Sequence, residues 1–175
     1  MKRDFASLSP QEALHVAIFI EERNAGLYQQ FAELFAEFRD PESLQIADVF
    51  WDMAQEERHH GTLLQEKYLE RYGTRHCVTT EEDIREIIEV PKLESGELFA
   101  IVRSNTAYSP RYKALEVALA AEQGAQRFYQ RMAATTSDEE LHKLYRELAE
   151  FEDSHTNLLE QKISAARRAA GSELA

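Results

Sequence analysis

The chain has 175 residues and a mass of 20.2 kDa, the size of one ordinary domain and enough to bury a core without disulfide staples. It carries 32 Asp+Glu against 20 Lys+Arg, a net charge of −12, which argues against a nucleic-acid-binding surface or a polybasic membrane patch. Its single cysteine, Cys77, excludes an internal disulfide and any centre built from four thiolates.

Four Pro and six Gly leave the chain poor in helix breakers. Ser9-Pro10-Gln11-Glu12 reads as a capping box with proline in the first turn, opening a helix over about 10–38. Asp40-Pro41 opens a second helix, about 41–72, after a tight turn. Residues 73–109 form a long crossover, with short helices expected from Thr79 to near Pro91 and from Ser95 to Arg103. Ser109-Pro110 opens a third helix, 110–134, and the box Ser137-Asp138-Glu139-Glu140 a fourth, 138–168, after which the tail should fray. Short turns within each pair make two antiparallel hairpins, so residues 1–175 are expected to form one all-α domain, a four-helix bundle with a long crossover. The longest apolar run, Val16 to Ile20, is far short of the ~20 residues a bilayer requires. No apolar segment of signal-peptide type follows Met1, and a cytoplasmic location is expected.

Each helix carries an apolar stripe at helical spacing: Leu14, Ala17, Ala25, Tyr28, Phe31 and Phe35 on the first, Ile46, Phe50, Met53 and Leu64 on the second. The third has Leu115, Ala118, Ala125, Tyr129 and Met132, and the fourth Leu141, Leu144, Leu148 and Leu159. Six positions break the pattern: Glu21, Glu57, His60, Glu122, Glu152 and His155. An internal repeat selects the same six. At an offset of 101 residues Glu21 pairs with Glu122 and Tyr28 with Tyr129; at an offset of 95, Glu57 pairs with Glu152 and His60 with His155. The repeat argues for a pseudo-two-fold bundle with these groups converging on its axis.

Four carboxylates in a dry core would each lose solvation and repel one another. Two divalent cations cancel that charge, and mixed carboxylate and imidazole ligands suit Fe or Mn. Glu-x-x-His alone is uninformative here, because it occurs five times. Glu12/His15 and Glu139/His142 begin in first turns, where acids favour the helix dipole, and their histidines are read as surface neighbours. Glu56/His59 shares a stripe with Asp52 and is read as outward-facing. Tyr28 and Tyr129 hold equivalent interior positions, suited either to plain packing or to hydrogen bonds to ligand carboxylates.

With Glu21 and Tyr28, Met53-Ala54-x-x-Glu57-x-x-His60, Glu122 with Phe128-Tyr129, and Glu152-x-x-His155, the chain resembles the ferritin-like superfamily, and within it the rubrerythrin-like di-iron proteins. The likeness spans about residues 10 to 165. It implies a ferritin-like bundle holding two iron ions, with Mn a possible substitute, in a centre that handles O₂ or H₂O₂. By that resemblance Glu57 and Glu152 bridge the metals, Glu21 and Glu122 are terminal ligands, and His60 and His155 each complete one site. It implies a peroxide-reducing oxidoreductase, with a ferroxidase or a non-catalytic metal-binding bundle as alternatives. Typical rubrerythrins carry paired Cys-x-x-Cys motifs that this sequence does not show, so electrons are expected from an external donor such as a separate rubredoxin or a reductase. They also carry a further Glu where this chain has Ala125, and a six-ligand set is closer to the ferroxidase centres of bacterioferritin-like relatives. A homodimer is expected; a nucleic-acid or membrane partner is not.

Overall fold

The computed structural model describes residues 8–75 and 110–172, which form four helices and, among the described residues, no strand. They are α1 (Pro10–Phe38), α2 (Pro41–Tyr72), α3 (Pro110–Thr135) and α4 (Glu139–Ser172). The expected short helices of the crossover, and Cys77, lie outside the described residues. No helix among the described residues is long and apolar enough to cross a membrane.

The helix ends follow from local chemistry. Ser9 accepts from the Glu12 N–H, and Glu12 accepts from the Ser9 N–H at 2.9 Å, a complete capping box with Pro10 in the first turn. Arg39 stops α1 in the left-handed conformation, φ 57°, and Asp40 at once caps α2 by accepting from the Ser43 N–H. At α4 the cap is Asp138, one residue later than the expected Ser137: its Oδ1 accepts from the N–H groups of Glu140 and Leu141 at 3.0 Å each. Arg71 of α2 also binds the Asp138 carboxylate at 2.6 Å, tying this turn to the end of the first hairpin. α4 continues to Ser172, past the expected end at 168, because Ala169-Ala170 are strong helix formers.

α1 packs along α2 and α3 along α4, with α1 also touching α3. The core divides into two apolar layers. One joins Leu14, Ile18, Leu64, Tyr68, Tyr129, Met132, Leu141 and Tyr145. The other joins Phe31, Phe35, Phe50, Met53, Leu115, Ala118 and Leu159. The start of α1 therefore meets the end of α3, and the start of α2 meets the end of α4, so both pairs are antiparallel. α2 and α3 consequently run parallel: one ends and the other begins at opposite ends of the bundle, the arrangement that requires a long crossover. Aromatic contacts stiffen the second layer, with Phe50 stacked 6.2 Å from Phe35 and tilted 5.0 Å from Phe31. Each such fully buried side chain contributes roughly 1.5–3 kcal/mol of transfer free energy.

His15, expected at the surface, is buried instead. Tyr68 of α2 closes over it, ring centroids 6.4 Å apart, and Arg75 Nε donates to its Nδ1 at 3.3 Å. The first-turn argument that placed it outside does not see the neighbouring helix.

Candidate metal centre

On every helix the polar residues fall between the two apolar layers. Glu21 of α1, Glu57 of α2, Glu122 of α3 and Glu152 of α4 are each 0% exposed. His60 and His155, one turn beyond their glutamates, are buried as well. Three residues of spacing on a helix place both side chains of each Glu-x-x-His on one face. Glu57, Glu122, Glu152 and His155 offer ligand atoms within 4.8 Å of one another, and so do Glu21, Glu57 and His60. Glu57 belongs to both sets and lies where one carboxylate can serve two ions. Glu152 falls in the His155 set, and its carboxyl also feels the charge of Glu21 in the other.

The tyrosines are arranged reciprocally. Tyr28 on α1 donates to Glu122 on α3, and Tyr129 on α3 donates to Glu21 on α1. Each sits two turns beyond the glutamate of its own helix and bonds the glutamate of the other, as antiparallel α1 and α3 under a pseudo-two-fold require. Burial and the adjacent carboxylates push both phenols well above their ordinary range, so they remain hydrogen-bond donors.

His155 Nδ1 lies 3.2 Å from Glu122 Oε2 and 3.2 Å from Glu57 Oε1. One nitrogen carries one proton, so it satisfies only one of them. Both oxygens of Glu57 and of Glu152, Oε2 of Glu21 and Nδ1 of His60 are buried without a hydrogen-bond partner. Native interiors rarely tolerate such groups, because each retains most of its desolvation cost. Burial, with the charges of Glu21 and Glu122, raises the Glu57 carboxyl well above the usual range. Burial, with Glu122 and Glu57, does the same to Glu152. Burial also acts to raise Glu122, but the adjacent Glu152, His155 and Tyr28 outweigh it and hold it low. His155 is pushed up to about 11, since the adjacent carboxylates of Glu122 and Glu57 overcome its burial. These shifts favour protons at positions where the donor set is suited to cations. Two divalent ions would neutralise four carboxylates and meet the orphaned atoms, and the cluster can hold metal ions.

One residue of the site escapes the periodicity argument. Glu56 is 58% exposed, in keeping with its outward stripe, yet its Oε2 lies 2.6 Å from His155 Nε2. The signal available in the sequence is a mismatch in the repeat: the 95-residue offset pairs Glu56 with Phe151. His59 is exposed and His142 pairs with the Ala133 carbonyl at 2.8 Å, so neither joins the cluster.

A four-helix bundle with parallel second and third helices and a glutamate–histidine layer at mid-core is of the ferritin-like class. A model of the rubrerythrin family matches residues 12–112 and 113–171, and the chain belongs to that family. Two solved structures share the fold. An uncharacterised conserved protein from Magnetospirillum magnetotacticum MS-1 is 22% identical, with a TM-score of 0.68 over 90% of this chain and 95% of that one. A hypothetical protein from Pyrococcus furiosus is 23% identical, with a TM-score of 0.70 over 93% of each chain. No curated protein matches the chain.

Proposed function

We propose that the protein is a non-haem di-iron oxidoreductase that reduces hydrogen peroxide to water with electrons from an external donor. The reading is carried by the buried set of four glutamates and two histidines, which forms two ligand groups sharing Glu57 and leaves several of its atoms without a hydrogen-bond partner. Glu21, Glu57 and His60 would hold one ion, and Glu57, Glu122, Glu152 and His155 the other. When bound, two irons supply a two-electron redox couple, so one peroxide plus two electrons and two protons gives two waters. Tyr28 and Tyr129 each occupy one oxygen of Glu122 and Glu21, orienting the other toward the ions. The flanking apolar layers keep bulk water from the site and strengthen the electrostatic hold on the cations.

Ala125 favours a second reading, oxidation of Fe(II) as substrate. It is an apolar, buried residue one turn after Glu122, where the resemblance leads one to expect a seventh ligand, a fifth carboxylate. Anaerobic loading with two Fe(II) per chain, then stopped-flow mixing with H₂O₂ or with O₂, separates the two. Faster oxidation by peroxide, with sustained peroxide consumption when reductant is present, is the expected result. A preference for O₂ with turnover of added Fe(II) establishes the ferroxidase. Oxidation by neither refutes both and leaves a non-catalytic bundle.

A further inference from the structure

The repeat makes the two ligand sets near copies, but it fails at the backing of the two histidines. His155 presents Nδ1 to Glu57 and Glu122 and Nε2 to the Glu56 carboxylate, 2.6 Å away. His60 presents Nδ1 to Glu21 Oε2 at 3.4 Å. Among the described residues no carboxylate pairs with its Nε2. At the repeat position of Glu56 stands Phe151, whose ring lies 4.7 Å from that of His60, tilted by 44°.

We infer that Glu56 is a positioning residue for His155, and that it makes the two metal positions unequal. A carboxylate accepting from Nε2–H fixes the ring's orientation, keeps the proton on the outer nitrogen and leaves the Nδ1 lone pair for the metal. It also raises the basicity of that nitrogen. The phenyl ring of Phe151 can only pack against His60; it accepts no such hydrogen bond. Glu56 reaches the site from the solvent-facing side of α2, so its removal opens no cavity and leaves the core packing untouched. The asymmetry gives the His155 set the firmer hold on its ion and leaves the His60 set the more exchangeable one.

The inference rests on the metal reading of the site, and the test keeps the two apart. Co(II) affinity and the visible Co(II) spectrum are measured anaerobically on the full chain in two single-site backgrounds, His60→Ala and His155→Ala. With His60→Ala, adding Glu56→Ala should weaken Co(II) binding about tenfold to a hundredfold and alter the spectrum, while Glu56→Gln, which keeps an acceptor, should fall between. With His155→Ala, Glu56→Ala should change nothing, and Phe151→Glu should tighten binding by giving His60 the missing partner. Equal weakening in both backgrounds would show that Glu56 acts only as a surface charge and would overturn the inference, as would no weakening in either. Absence of Co(II) binding in both parents, with helicity intact, would refute the metal site itself and the inference with it. Should a background lose its helicity, the wild-type chain still decides. Chelator competition should resolve two unequal affinities, of which Glu56→Ala lowers the tighter; two equal affinities would overturn the inference.

Discussion

Replacing Glu57 by glutamine tests whether one carboxylate serves both ligand groups. Metal that binds the folded chain alone stabilises it by mass action, about 2.7 kcal/mol per site at a hundredfold excess over Kd. Two sites give about 5 kcal/mol. At roughly 2–4 °C per kcal/mol for a chain of this size, Mn(II) should raise the unfolding midpoint by about 10–20 °C. Glu57 belongs to both groups, so Glu57→Gln should abolish most of that rise. Glu21 belongs only to the His60 group, so Glu21→Gln should leave about half of it. The metal-free variants should behave in the opposite sense. A glutamine side chain does not titrate, and the substitution removes a buried acid, so metal-free Glu57→Gln should equal or exceed wild type in stability at pH 8. Anaerobic circular-dichroism melts with and without Mn(II) read both effects. A Glu57→Gln protein that keeps the full metal-induced rise, or loses no more of it than Glu21→Gln, would refute the shared position.

Further outcomes follow from the same geometry. The raised carboxyls of Glu57 and Glu152 contribute stability that is present below the ordinary carboxylate range and lost as pH rises through their folded values. Glu122, held low, stays charged between pH 5 and 8, and His155, pushed up to about 11, loses its contribution in the same sense above its ordinary value, so neither opposes the trend. Urea unfolding of the metal-free protein should therefore show stability falling across that window, and a rising trend would contradict it. Metal binding should release protons from Glu57 and Glu152, seen as buffer-dependent heats in titration calorimetry; heats independent of the buffer would count against it. Tyr129→Phe removes the donor to the buried Glu21 and should cost about 1–3 kcal/mol in the metal-free protein by denaturant unfolding, with a change below a few tenths showing that the bond is idle. Asp138, lowered to about 2 chiefly by Arg71, contributes stability present above the ordinary aspartate value and lost as pH falls through about 2; Asp138→Ala should therefore speed hydrogen exchange at the start of α4 at pH 7, and unchanged exchange would refute its capping role.

Much of the architecture was legible because the helix starts use strong local signals. Pro10, Pro41 and Pro110 each open a helix, and Ser9 and Asp40 accept from the backbone as their residue types suggest. Glu21, Glu57, Glu122 and Glu152 stood out because each interrupts an otherwise apolar stripe, a local property that does not depend on knowing the neighbouring helix. The cap of α4 was displaced by one residue because Ser137 and Asp138 are both competent, and Asp138 gains Arg71 from a distant helix. His15 was misplaced, and the contact of the correctly placed Glu56 missed, for a related reason. The first-turn argument for His15 and the stripe for Glu56 each describe one helix in isolation, whereas Tyr68 covers His15 and His155 reaches out to Glu56 from α4. The crossed tyrosine bonds were open in the sequence for the same reason: the repeat equates Tyr28 with Tyr129, but only antiparallel packing of α1 on α3 decides which glutamate each one meets.

The most direct test of the site is anomalous diffraction at the iron edge from crystals of the full chain loaded anaerobically with Fe(II). Two peaks are expected, one among Glu21, Glu57 and His60 and one among Glu57, Glu122, Glu152 and His155, with Glu57 reaching both. No peak between the two apolar layers, or iron held only by surface carboxylates, would contradict the account.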